Sequence, residues 1–348
     1  MYETRKSYTD SLRALAQSGR KICVYGMGNG AEKIIAHLKS HGITVDGVFA
    51  SDAFVRGQSF LGMRVLTKAQ AEESFGDFAC VTAFALHGKD RELFRSLSKR
   101  HTLFAPNLPP YGEGCVDRDF LKREKERMEK LRSLLADEDS VKVFDSLLLY
   151  DLSADINDIY VCDTVPEGWY RPNAVYLDIG AYDGDTALGF ASACPDYEKI
   201  YAFEPDAKNY KKLCANVSLM RDVECVNAAA GEFDGVLKFV SGKGRGGGVS
   251  DTGREVRAVK IDHYVSSYVK RRVTNIKCDA EGHDMAALCG AVNTVYTQSP
   301  AVKCAVYHRA GDILDIPLWL ADQLPGARLY LRNTEYIPAF DVFAYAIK

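Results

Sequence analysis

No apolar run in this sequence of 348 residues reaches the roughly 18 residues that a membrane-spanning helix requires. Residues Met1 to Arg20 alternate charged and small side chains and lack the apolar centre of a secretory signal. A soluble, cytoplasmic protein with no membrane partner is therefore expected. Excess positive charge is also missing. Lysine and arginine number 44 against 47 acidic residues, and the net charge of −3 leaves no strong field to hold nucleic acid by counterion release. The 10 cysteines include no C-x-x-C pair and no histidine pair at zinc-finger spacing. Cys23, Cys80, Cys278 and Cys304 sit inside apolar runs and read as reduced core residues.

What is present is the composition of a globular protein, 47% hydrophobic and 26% charged, which argues for packed cores rather than disorder. The length fits two domains better than one. Over residues 21–105, KICVYG, ITVDGVFASD, FACVTAF and HTLFAP read as strands, with GAEKIIAHLKSHG as a helix between the first two. A small Rossmann-like α/β domain over residues 1–110 is expected. From Cys115 to Leu152 glycine and proline are absent, apolar residues recur at helical spacing, and charges of both signs interleave. Residues 111–170 therefore read as a helical connector. Within it the Lys122–Arg132 run is a solvated helix face rather than a basic patch, because Glu124, Glu126 and Glu129 alternate with the cations.

Over residues 171–348 strand and helix alternate again. AVYLDIG, KIYAFEP, VECVNAA, TNIKCDAEG and AVKCAVYH read as five strands of an open, doubly wound parallel sheet. RLYLRN and DVFAYAIK follow with only TEYIPAF between them, too little for a crossover helix, so they pair antiparallel. A mainly parallel sheet finished by an antiparallel hairpin is the layout of a class I methyltransferase.

The strand ends carry the chemistry. LDIGAYDGDT, from Leu177 to Thr186, delivers Asp178 and then Gly180, Tyr182, Asp183 and Gly184 into a tight turn before a helix. Its G-x-x-x-G spacing differs from the G-x-G-x-x-G of dinucleotide sites. Asp178, Asp183 and Asp185 would repel a diphosphate and suit a sulfonium and an ammonium group, the charges of S-adenosylmethionine. YAFEPD places Glu204, Pro205 and Asp206 after the next strand, and a carboxylate there can accept hydrogen bonds from ribose hydroxyls. VNAAAG, with Ala228, leaves room for a flat adenine; a plain packed turn explains it equally well. IKCDAEGHD ends a strand in Asp279 and Glu281, which can orient a substrate hydroxyl, bind a divalent metal ion through hard oxygens, or steady the sulfonium. Tyr307 and His308 reach the same edge. His308 is a candidate general base, with a hydrogen-bonded loop histidine as the alternative.

Taken together, LDIGAYDGDT, FEPD, NAAAG, KCDAEG with HD, YH followed by DILDIPLWL, and the closing YLRN resemble the FkbM family of methyltransferases. The upstream LLADEDSVKVFDSLLLYDLS also resembles a segment that precedes the catalytic domain in its two-domain members. The resemblance implies S-adenosylmethionine as methyl donor and a hydroxyl of a sugar or other small metabolite as acceptor. It further implies that Asp178, Gly180 and Glu204 hold the cofactor while Asp279 and Glu281 face the transfer site. His283 stands where the family has a small residue, and Asp284 where glutamate is common.

Two segments remain. Ser241 to Gly253, SGKGRGGGVSDTG, lacks the spacing of a phosphate loop and reads as a lid in which Arg245 meets an anionic group, or equally as a plain surface loop. In the front domain GMGNGA has the G-x-G-x-x-A arrangement of nucleotide-binding turns, and Asp52 ends the second strand. Gly26, Gly28, Asn29 and Asp52 thus outline a nucleotide or nucleotide-sugar site, or glycines kept for packing. The leading expectation is an O-methyltransferase. The alternatives are a nucleotide-dependent enzyme centred on the front domain and a non-catalytic cofactor-binding scaffold. The sequence does not fix the oligomeric state, a homo-oligomer included.

Overall fold

The computed structural model describes residues 5–85, 90–112, 114–240, 248–249 and 253–348. Three sheets organise them. The largest has seven strands in the order Arg328–Asn333, Val342–Ile347, Ala301–Ala305, Asn275–Cys278, Val175–Ile179, Lys199–Phe203, Val223–Val226. All neighbours are parallel except around Val342–Ile347, which runs antiparallel to both of its partners. Val175–Ile179 and Asn275–Cys278 are buried along their whole length, as expected for central parallel strands covered by helices on both faces. The strand order reverses between these two, and open α/β sheets bind ligands in the crevice at such a reversal.

The front domain is a six-stranded sheet in the order Ser59–Phe60, Met63–Leu66, Gly47–Phe49, Lys21–Tyr25, Phe78–Thr82, Thr102–Phe104. Only the first pair is antiparallel. A third, four-stranded sheet, built from Ala229–Gly231, Gly235–Val240, Gly248–Val249 and Arg254–Lys260, comes in sequence between the strand Val223–Val226 and the helix Ile261–Tyr268.

The connector does more than span. Its helices Arg118–Arg123, Lys125–Leu134 and Glu138–Ser153 bury Phe120, Met128, Leu131, Phe144, Leu147 and Leu148 in the same core as Leu177, Ile276 and Leu331. Each of those side chains contributes about 1.5–3 kcal/mol relative to an exposed position. Polar contacts fix the docking: Ser140 Oγ accepts from Leu331 N at 3.1 Å, and Arg332 pairs with Asp137, whose carboxylate also caps the helix through Ser140 N. The outward face carries the expected opposite charges, with Arg123 and Arg127 both paired to Glu124. No helix among the described residues is long and apolar enough to cross a membrane.

Candidate active site

A cavity of about 420 Å³ opens at the carboxyl ends of the central strands, and its walls come from each motif in turn. The turn after Val175–Ile179 is tied to the next strand, Gly180 N and Ala181 N both donating to Phe203 O. Gly180 has φ +74°, and a Cβ there would stand 1.9 Å from the carbonyl oxygen of Asp279, so only glycine lets the two strand ends close together. Tyr182 takes a left-handed conformation, φ +50°, and its amide donates to Glu204 Oε2 at 3.0 Å. The helix Asp185–Ala193 follows directly.

Glu204 is buried, and its second oxygen accepts from Asp206 N at 2.8 Å. Burial pushes its pKa up to about 7, against the two backbone donors, which favour the ionised form. Its carboxyl thus faces the cavity in a fixed orientation. Pro205 and Asp206 also line the cavity. Asp206 caps the helix Ala207–Asn216 by accepting from Lys208 N and Asn209 N, and it pairs with Arg254. Ala228, Ala229 and Ala230 line the wall beyond with small side chains, joined by Phe239 and Val249 of the third sheet.

Asp178 does not reach the cavity wall. It is wholly buried, accepts from Thr186 Oγ1 at 2.6 Å, and lies 3.2 Å from Lys277 Nζ. Its negative charge serves to hold the turn. Asp183 also stands off the wall, while Asp185 lies on it, so one of the three acids expected around the cofactor faces the cavity directly. Lys277 escaped the sequence reading. It is buried yet lines the cavity, and it donates to Gly180 O at 2.7 Å. Burial favours the neutral amine, but the charges of Asp178 and Asp279 outweigh it and keep the lysine protonated. A lysine inside the otherwise apolar IKC strand was the available signal.

At the other end stand Asp279, Glu281 and His283, all on the cavity wall. Asp284 is buried beneath them and shapes their loop, accepting from Ala280 N at 2.7 Å and Gly282 N at 3.1 Å. This lets Glu281 adopt φ +51°, a strained conformation for a residue with a side chain. His308, proposed from the sequence as a general base, is placed differently. It is fully buried and absent from the cavity wall. Its Nδ1 contacts Asp284 Oδ2 at 2.7 Å, and its Nε2 lies 3.4 Å from Asp279 Oδ1 and 3.5 Å from Glu281 Oε2. Burial would lower its pKa, but the three carboxylates raise it to about 9. The surrounding acids thus favour the imidazolium, which makes His308 a poor proton acceptor. The metal expected at Asp279 and Glu281 finds no support: the described residues here that each offer a ligand atom within 4.8 Å of one another are Asp279, Asp284 and His308, a group without Glu281.

Glu281 fits the role of a base better. It lines the cavity, and burial, opposed by His308, holds its pKa at about 7. His283 is the other proton-free group at this end, burial lowering its pKa below the usual histidine value.

In the front domain Gly28 begins the helix Asn29–Ser40, and Asn29 and Asp52 are exposed. A Cβ at Gly26 would stand 2.9 Å from the Phe84 ring and one at Gly30 2.7 Å from Ala83 O, so packing alone requires these two glycines. Of the expected lid, only Gly248, Val249 and Gly253 are described; Arg245 lies outside the described residues.

Comparison with known proteins bears on this geometry. The model of the methyltransferase FkbM domain matches residues 178–334. The crystal structure of a methyltransferase FkbM from Methylobacillus flagellatus superposes with a TM-score of 0.72 at 17% identity, over 97% of this chain and 93% of that one, and so shares the fold. Fibrillarin from Aeropyrum pernix, crystallised with natively bound S-adenosyl-L-methionine, is a remote match at a TM-score of 0.33 and 12% identity, over 53% of this chain and 70% of that one. No curated protein sequence matches. Residues 178–334 thus form a methyltransferase FkbM domain, and the strand order and full-length structural likeness agree with that fold.

Proposed function

We propose that the cavity binds S-adenosylmethionine and that the chain methylates a hydroxyl of a sugar or other small metabolite, with Glu281 taking up the acceptor proton. The observation that carries the reading is Glu204: a buried carboxyl, fixed by two backbone amides, next to the turn that Gly180 makes possible. Its remaining lone pairs suit the paired hydroxyls of a ribose. The alanines at 228–230 leave space for a planar base, and the cavity volume falls in the usual range of cofactor sites, roughly 300–1,000 Å³.

When bound, S-adenosylmethionine supplies an electrophilic methyl group on a sulfonium. The protein's share is alignment and proton uptake. Asp279 and Asp185 offer negative charge to the cationic part of the cofactor. Glu281, near half ionisation at neutral pH, can accept a proton from a hydroxyl, and His308 beneath it stabilises the ionised form.

Calorimetric titration with S-adenosylmethionine, run in parallel with NAD(H) and UDP-sugars, tests the reading. Saturable binding that Glu204→Ala weakens by about 100-fold, two hydrogen bonds to a charged group, is expected. Tight NAD(H) binding without S-adenosylmethionine binding would overturn it. With an acceptor in hand, Glu281→Gln lowers turnover by roughly 10²–10⁴-fold, while His283→Asn leaves it within a few-fold.

A further inference from the structure

Among the described residues three lysines line the cavity, Lys208, Lys212 and Lys277. Lys277 is taken up by Asp178 and the carbonyl oxygen of Gly180. The other two have no task in the geometry above. They stand one turn apart on one face of the helix Ala207–Asn216, both exposed, and among the described residues neither ammonium meets a carboxylate. This helix is locked to the turn that Gly180 opens. A Cβ on Gly184 would stand 3.0 Å from Val217 and 3.1 Å from Leu213, and Asn216 Nδ2 donates to Asp183 O at 2.8 Å. Long helical side chains lean toward the helix N-terminus, here the cavity side. Lys212 Nζ accordingly lies over the Tyr182 ring, 5.7 Å from its centroid.

We propose that Lys212 holds the carboxylate in the amino-acid part of the methyl donor. This rests on the reading of the cavity as the S-adenosylmethionine site. The donor carries a sulfonium, an ammonium and a carboxylate. Asp185 and Asp279 suit the two cations and repel the anion, which therefore needs a positive partner of its own. The helix Asp185–Ala193 starts at the same turn, and its free amides would otherwise serve an anion. Asp185 Oδ1 already accepts from Thr186 N at 2.8 Å, however, and Thr186 Oγ1 is given to Asp178. Arg254 is paired with Asp206. That leaves Lys208 and Lys212, and Lys212 is the one set against Tyr182, whose amide binds the Glu204 carboxyl. Asp185 follows Tyr182 by one helical turn's length of chain. Lys212 and Asp185 thus border one turn with opposite charges, as an ammonium and a carboxylate on a single carbon atom require.

The test is calorimetry at low salt, where exposed charges are least screened. Two ligands are compared, S-adenosylhomocysteine and its decarboxylated analogue, which keeps the adenosine, the sulfur and the amine. Lys212→Met is expected to lower the ratio of the two affinities by about tenfold, the loss falling on S-adenosylhomocysteine. That is the low end for a hydrogen bond to a charged group, because the lysine is exposed. Lys212→Arg keeps the charge and should hold the ratio within about threefold of the parent. Lys208→Met should leave the ratio unmoved. An unchanged ratio in Lys212→Met overturns the proposal, whether both affinities stay or both fall together, and so does a ratio that moves in Lys208→Met instead. A parent that binds neither ligand overturns the donor reading itself, an outcome distinct from these.

Discussion

Lys277 Nζ lies 2.7 Å from the carbonyl oxygen of Gly180 and 3.2 Å from Asp178 Oδ1, joining two central strands beneath the turn that Gly180 opens. The pair is almost completely buried. Breaking such a pair from one side leaves an uncompensated charge, which typically costs about 3–5 kcal/mol. Lys277→Met should lower unfolding free energy by that amount in urea denaturation. Adding Asp178→Asn should restore at least half of the loss, because the stranded charge is gone. A single variant as stable as the parent would show that the pair does not hold the turn.

Two glycines in neighbouring elements should respond in opposite directions. Gly180→Ala drives a methyl group into Asp279 O at a positive φ, so both strain and displacement of the strand end are expected, with loss of S-adenosylmethionine binding in calorimetry. Gly189 lies in the helix Asp185–Ala193 with open space around its Cα. Gly189→Ala should stabilise the protein by about 0.5–1 kcal/mol from helix propensity. A thermal melt of each variant reads the difference.

The sheet was legible because its strands are apolar runs that end in the cavity residues, and the closing hairpin because its connection is too short for a helix. Gly180, Glu204, Asp279 and Glu281 were legible as strand-end residues of types that suit a ligand. The connector's depth in the core was not, since its many surface charges mask a narrow apolar stripe. Residue type alone also misplaced His308. Whether an imidazole is a base or a buried cation depends on the carboxylates around it, here Asp279, Glu281 and Asp284 from another strand end, and such proximity is set by tertiary packing. The same holds for Lys277, whose partners lie far away in sequence.

His308 makes stability depend on pH in a defined direction. Its pKa rises from 6.5 unfolded to about 9 folded, so its stabilising contribution is fully present below about pH 6.5 and disappears as pH rises through 9. The shift corresponds to a loss on the order of 3 kcal/mol. Buried thiols such as Cys23 and Cys80, whose pKa values are raised, add to the loss at the alkaline end because they ionise only when unfolded. His308→Asn removes the imidazole contribution and leaves the thiols. Urea unfolding at about pH 7 and pH 9 should therefore show a much steeper decline for the parent than for the variant, and equal declines would mean that His308 is not charged in the fold.

Cofactor affinity should carry its own pH signature through Glu204. Burial raises the carboxyl to about 7, and hydrogen bonds from ribose hydroxyls favour its ionised form, so binding draws the proton off. Affinity for S-adenosylmethionine is then expected to weaken as pH falls through 7. The decline approaches tenfold per unit if only the carboxylate binds and is smaller if the acid keeps one of the two bonds; between about pH 7.5 and 5.5 we expect roughly tenfold in all. Glu281 titrates in the same range, and Glu204→Gln separates the two, because it removes the Glu204 titration and leaves that of Glu281. Calorimetry across this range should give a steep curve for the parent and a flatter one, from a weaker starting affinity, for the variant. Equal slopes would assign the pH dependence to Glu281 and remove Glu204 from the ribose contact.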